Sequence, residues 1–169
     1  NEETTDITPT FVWGTALDTG VGVKWYRIEI SSQSNFSALD ISTTTTNTTY
    51  TPGTGIADDT YYWRVIGVDN VDNENTGEDT RQVLIDSTPP PEVSLSSPAD
   101  GYDTNDQTPE MIWGSAADTG AGLKWYRVEV SSQSNFSALD ISATTTNTTY
   151  TPAGDLGEAT HYWRVIGED

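Results

Sequence analysis

Four Asn-X-Ser/Thr triplets are the residues of this chain best suited to covalent chemistry: Asn35-Phe36-Ser37, Asn47-Thr48-Thr49, Asn135-Phe136-Ser137 and Asn147-Thr148-Thr149. An asparagine amide two residues ahead of a hydroxyl is the acceptor pattern for N-linked sugar. Such triplets also arise by chance where Asn, Ser and Thr abound, and a duplication copies them passively. Their Thr-rich surroundings favour Asn47 and Asn147 as exposed carriers, with Thr43 to Thr46 open to O-linked sugar. A second group is the acidic loop DNVDNENTGED, Asp69 to Asp79, beside DSTPPPE. Calcium takes roughly six to eight oxygen ligands. The candidates to supply them are Asp69, Asp72, Asp86 and Asp103, although their spacing is not that of an EF-hand loop and acidic turns commonly serve only as turns. The third group alternates aromatic and guanidinium side chains: Trp25, Arg27, Tyr62 and Arg64, then Trp125, Arg127, Tyr162 and Arg164. On one sheet face these would stack on each other, or form a platform for a sugar ring.

Catalysis finds little to work with. The only histidine is His161, cysteine is absent, and no serine lies in a nucleophile elbow. Carboxylates are abundant, but on predicted loops and without an identifiable cleft. The expectation is therefore a protein that is not an enzyme and has no cofactor unless calcium binds. His161 takes the place of Tyr61 in an internal repeat and reads as a core or rim substitute. Seven Lys and Arg against 26 Asp and Glu give a formal charge of −19, which repels phosphate backbones and anionic membranes, so nucleic acid is not an expected partner. Without cysteine there are neither disulfides nor thiolate metal sites. No run approaches the ~18 apolar residues of a membrane-spanning helix, and Asn1 to Thr10 lacks the pattern of a signal peptide. The chain reads as mature or as excised from something longer.

What positions these residues is a repeat. SSQSNFSALDISTTTTNTTYTP at Ser31 to Pro52 returns at Ser131 to Pro152 with one change, Thr43 to Ala143. Trp13 matches Trp113, and Tyr62 to Gly67 matches Tyr162 to Gly167, at a constant offset of 100. That period exceeds the roughly 20 to 50 residues of solenoid repeats and suits an autonomous sandwich module. Two modules are expected, 1–88 and 89–169. Within the first, TPTFVWG, KWYRIEIS, ALDIST, NTTYTP, TYYWRVIGVD and TRQVLID are β-branched or aromatic and alternate with period two. Clusters of Gly, Asn, Asp and Pro separate them, and no segment keeps a helical period. Alternation sends Tyr26, Ile28, Ile30, Tyr61, Trp63, Val65 and Gly67 inward. It leaves Trp25, Arg27, Glu29, Tyr62, Arg64 and Ile66 on the other face.

TYYWRVIGVDNVDNEN followed by DSTPPPEVSLSSPADG and TPEMIWG resembles the bacterial and archaeal immunoglobulin-like repeats of the fibronectin type III kind. In these a Tyr/Trp-rich strand enters an Asp/Asn loop, and a Thr-Pro-Pro linker leads to the next module. The resemblance covers the whole chain. It implies an all-β fold of two tandem antiparallel immunoglobulin-like, fibronectin type III-like β-sandwiches at a cell surface or outside the cell. It does not choose among stalks, adhesins, surface-layer parts and accessory modules of secreted enzymes.

Aligned on the repeat, Asn1 corresponds to Gly101 and Asp169 to Asp69, so the first module is expected to lack its first strand and the second its last. Either neighbouring repeats of a longer array supply those strands, or subunits exchange them. Asn1 to Thr8 is a weak donor, with Ile7 its single large apolar residue. The expected role is a structural repeat of a filament or stalk, with copies of itself or flanking repeats as partners and glycans as possible covalent additions. The alternative is a repeat that binds carbohydrate or a surface through the aromatic ladder.

Overall fold

The computed structural model describes residues 2–76 and 79–169. Asn1, at the head of the expected donor segment, and Gly77 and Glu78, within the expected acidic loop, lie outside the described residues. The chain is all-β, with no helix among the described residues. It forms two compact units, Asn1–Thr88 and Pro89–Asp169.

The first unit contains β1 (Glu2–Thr4), β2 (Phe11–Val12), β3 (Val23–Ser31), β4 (Ile41–Thr45), β5 (Thr49–Tyr50), β6 (Asp59–Asp69), β7 (Glu74–Thr76) and β8 (Arg81–Ile85). One sheet runs β1-β8-β6-β3-β4, with β7 also paired to β6, and β2 pairs with β5 in a second. Period-two alternation determines what is buried. Phe11 from β2, Ile28 and Ile30 from β3, Tyr61 from β6, and Val83 and Ile85 from β8 meet in one cluster, ringed by Trp13, Ile41, Tyr50, Ile56, Trp63 and Val65. Both sheets thus contribute to a sandwich-like core, and each fully buried aliphatic side chain favours it by ~1.5–3 kcal/mol.

In the second unit are β9 (Leu95–Ser97), β10 (Met111–Trp113), β11 (Trp125–Ser131), β12 (Ile141–Thr145), β13 (Thr149–Tyr150) and β14 (Tyr162–Glu168). They make the sheets β13-β10-β9 and β12-β11-β14. Met111, Trp113, Tyr126, Val128 and Val130 form its core, with Val93, Leu123 and Trp163 packed against them. The shared strands keep one register: Tyr26 faces Thr45 as Tyr126 faces Thr145, and Glu29 faces Arg64 as Glu129 faces Arg164.

Two strands were not expected from the sequence. β7 lies on β6 across Ile66 to Val68, and β1 runs parallel to β8 with Glu2 beside Val83 and Thr4 beside Ile85. The proposed N-terminal donor is therefore engaged in its own unit, where the Asp86 N–H also donates to the Thr4 carbonyl at 3.0 Å. Ile66, assigned to the exposed face, is 0% exposed. Arg27, its register partner on β3, reaches across β6 to Glu74 on β7 and covers it. In the second unit Ile166 is half-buried.

Each core is tied to its surrounding loop by a tyrosine. The Ala16 N–H donates to the Tyr26 hydroxyl at 3.0 Å, and the Ala116 N–H to that of Tyr126 at 3.0 Å. Trp13 and Trp113 meet these rings edge-on, with centroids 5.9 and 5.6 Å apart. Replacing Tyr26 or Tyr126 by Phe strands one partly buried N–H each, so each change lowers stability by ~1–2 kcal/mol in chemical denaturation. The double variant shows the sum, because the two bonds lie in different units.

Candidate functional site

The site is built on the repeated polar stretch that follows β3 and β11. The Ser31 hydroxyl, fully buried, donates to the Ala38 carbonyl at 2.6 Å and accepts the Gln33 N–H at 2.9 Å. Asp40 closes the loop, its N–H donating to the Ile30 carbonyl at 2.9 Å and its carboxylate accepting the Ser32 N–H at 2.6 Å. At the tip the Asn35 side-chain oxygen accepts the Ser37 N–H at 3.0 Å, and the Ser37 hydroxyl bonds to Gln33. Phe36 adopts a φ of 54°, and Phe136 one of 53°, a left-handed conformation that bulky residues rarely occupy. What holds each ring is a guanidinium: Arg64 lies 4.3 Å over Phe36 and Arg164 4.3 Å over Phe136.

Beneath each arginine sits a buried carboxylate. Glu29 is 6% exposed and Glu129 2%. Glu29 accepts the Arg27 Nε–H at 3.1 Å and the Arg64 Nε–H at 2.7 Å. Glu129 is held in the same way by Arg127 and by Arg164, the latter at 2.6 Å. A carboxylate so enclosed is tolerable only because both oxygens are paired. The first arginine of each cluster then reaches a second acid. Arg27 grips Glu74 with two bonds of 2.7 and 2.8 Å, whereas Arg127 donates to Glu168 at 2.5 Å beside the Trp125 indole N–H at 2.6 Å. The Arg27 guanidinium holds the Glu74 carboxyl below the usual range. Glu168 is lowered by Arg127 first and Trp125 second.

The expected ladder is rearranged by register. Tyr62 stands opposite Ser31 and Trp25 opposite Val68, so the two rings lie about 20 Å apart along the sheet. Arg27 faces Ile66 while Arg64 faces Glu29. In the second unit Tyr162 faces Ser131 and Trp125 faces Glu168, and Trp125 lies 4.5 Å under Lys124.

Asn35 and Asn135 are exposed, with their amides turned into the loop tips at 3.0 and 3.1 Å. Asn47 and Asn147 are exposed between β4 and β5 and between β12 and β13. Their N–H groups are fixed by the Thr45 and Thr145 hydroxyls at 3.0 and 3.1 Å.

Of the calcium candidates, Asp69 and Asp72 come together in one turn. The Asp69 carboxylate closes it, accepting the N–H groups of Val71 at 2.9 Å and Asn73 at 2.8 Å and the Asn73 amide at 2.7 Å. Asp72, at a φ of 67°, pairs with Lys24 at 2.6 Å. Asp86 lies just past β8, 4% exposed, and accepts the Thr88 N–H at 3.1 Å. Asp103 is exposed in the second unit. His161 is half-buried, its Nε2 2.9 Å from the Gly157 carbonyl and its Nδ1 3.4 Å from Asp140, whereas Tyr61 lies in the core.

Besides the burial of Glu29 and Glu129, two features escaped the sequence reading. One is Asp58, whose carboxylate receives the Ser87 and Thr88 hydroxyls at 2.7 Å each and ties down the end of the first unit. The other is a groove of about 250 Å³ beside β2, walled by Trp13, Ala16, Tyr26, Trp63, Val65 and Gly67.

No protein-family model matches the chain, and no curated protein shows significant similarity to it.

The cluster generates two expectations. Glu29→Ala leaves Arg27 and Arg64 without their shared acceptor and lowers stability by ~2 kcal/mol, read by denaturant titration. A carboxylate whose folded-state pKa is depressed contributes stability that is complete above its unfolded pKa, ~4.3 for Glu, and is lost as pH falls through the folded value. Glu168→Gln therefore melts below the parent at neutral pH, and the gap closes as the pH is lowered below about 4.

Proposed function

We propose that the chain is a pair of structural repeats from an extracellular or cell-surface filament or stalk, and that its units are immunoglobulin-like modules of the fibronectin type III kind. One observation carries the reading. The two units share a framework and differ at complementary edges. In the first, β6 is flanked by β8, whereas its counterpart β14 pairs with β11 alone among the described residues. In the second, β10 is flanked by β9, whereas its counterpart β2 pairs with β5 alone among the described residues. Unpaired strand edges are sites for adding a strand from a neighbour. A chain with one such site in each unit suits repeated linkage, in tandem or by strand exchange.

The mechanism is mechanical and not catalytic. Sandwiches set the spacing, Pro89, Pro90 and Pro91 stiffen the connection, and the net charge of −19 keeps a long assembly soluble. Sugars on Asn47 and Asn147 would add to that shield, since both asparagines are exposed. The rival reading, polysaccharide binding across the aromatic face, would have to use Trp25 and Tyr62 singly, since the register sets them six residues apart along β3.

The test is made on native material, by intact mass under denaturing conditions, electron microscopy and peptide mapping. End-to-end polymers, or a covalent mass far above 18.4 kDa, are expected at the cell surface, with sugar-sized increments on the peptides containing Asn47 and Asn147. Monomers of 18.4 kDa that never polymerise, with both peptides bare, would sink the proposal.

A further inference from the structure

We infer that the groove beside β2 is an acceptor for one particular strand, the Pro89–Ser97 segment of another copy of this repeat; the inference rests on the filament reading for its biological meaning only. The second unit shows the same groove filled. There Ser97 and Leu95 pair with Ile112 and Trp113, and the Gly114 N–H donates to the Ser94 carbonyl at 2.8 Å. Val93 packs on the core. Pro90 sits against Gly167, so that a β-carbon on that glycine would lie 3.1 Å from it. Trp113 is 3% exposed as a result.

The counterparts of these partners in the first unit are less covered; a β-carbon on Gly67 would meet only Ala16, at 3.7 Å. Val12, in the place of Ile112, is 55% exposed. Trp13 is only half-buried. A β-carbon on Gly14 would meet nothing within 4 Å, where Gly114 has Ser94 beside it. The groove walls Ala16, Tyr26, Trp63, Val65 and Gly67 correspond to Ala116, Tyr126, Trp163, Val165 and Gly167. The knobs that fill the second unit, Val93 and Pro90, therefore match the hole left in the first. Charge is neutral to the fit: the segment's one charge is Glu92, and on the groove rim Arg81 is paired with Asp79 at 3.2 Å. Main-chain bonds to Val12 and Gly14 would supply affinity, and the two apolar knobs would supply register.

A synthetic Thr88–Ala99 peptide added to the full chain tests this. The expected result is saturable, one-to-one shifting of the backbone amide resonances of Val12, Trp13, Gly14 and Gly67. Val93→Asp in the peptide weakens binding at least tenfold. Because a free strand binds weakly, the same segment is also fused ahead of Asn1 through a flexible linker, which raises its local concentration to about millimolar. The fusion shifts the same amides and raises the melting temperature, and its Val→Asp version does neither. If neither the free nor the fused segment moves these resonances, or if the shifts fall on β14, the inference is overturned. Native polymers without any peptide response would remove this inference and leave the filament reading standing, and a peptide response in a protein that never polymerises would do the reverse.

Discussion

The outer face of each unit depends on one register, that of β3 against β6 and of β11 against β14. It sets Glu29 opposite Arg64 and Glu129 opposite Arg164. Because side chains alternate along a strand, a slip of one residue would turn Ile28 and Ile30 to solvent and drive Arg27 and Glu29 into the core. The hydrophobic pattern alone forbids that slip. A slip of two residues would preserve the pattern, and here the buried carboxylate matters: it would lose Arg64 and keep only Arg27, its neighbour on β3, leaving one oxygen unpaired in a nearly dry site. The ion cluster thus specifies pairing where burial is indifferent, a role better attested for buried charges than net stabilisation.

The same register accounts for the repeated polar stretch. Its Ser, Gln, Asn and Asp side chains close a loop on themselves and on the end of β3, and the loop presents Phe36 to Arg64, which is already anchored by Glu29. Polarity in this stretch is consequently structural before it is anything else. A Phe at positive φ is held by the cation over its ring, and that cation by the acid beneath it. The chain from Glu29 to Arg64 to Phe36 recurs from Glu129 to Phe136 with the same 4.3 Å stacking distance, which follows from the identical sequence of the two loops.

Much of the architecture was legible in the alternation of apolar and polar residues. KWYRIEIS and TYYWRVIGVD announce β3 and β6, and their inward sets include the core residues Ile28, Ile30 and Tyr61. β1 and β7 were not legible, because EET and ENT carry no apolar period and become strands only where β8 and β6 offer backbone partners. The ladder failed for a related reason. Alternation assigns a face but not a neighbour, so Trp25, Arg27, Tyr62 and Arg64 could be placed on one side of the sheet without showing that Tyr62 belongs opposite Ser31. Glu29 was read as a solvent residue because glutamate normally is one, and its burial follows from two arginines that only the paired strands bring together. Ile66 is the converse, an apolar residue on the polar face, buried by an arginine reaching over it.

The two units also act as controls for each other. Trp13 and Trp113 occupy corresponding positions and meet corresponding tyrosines edge-on, and the backbone N–H of each donates to a threonine carbonyl, of Thr48 at 3.0 Å and of Thr148 at 3.1 Å. Their burial nevertheless differs, because β9 and Val93 lie on one and not on the other. Ile66 and Ile166 differ in the opposite sense, because β7 accompanies one and not the other. In each comparison the residue is constant and its strand neighbour varies. Completeness of these cores is therefore a property of the array of strands around a module, and the residues between one module and the next, Arg81 to Ser97 in this chain, hold the strands on which it turns: β8 flanks β6 of the unit before, and β9 flanks β10 of the unit after. The boundary between Thr88 and Pro89 leaves β8 with the unit before and β9 with the unit after, so a division opens an edge only where it falls ahead of β8 or beyond β9.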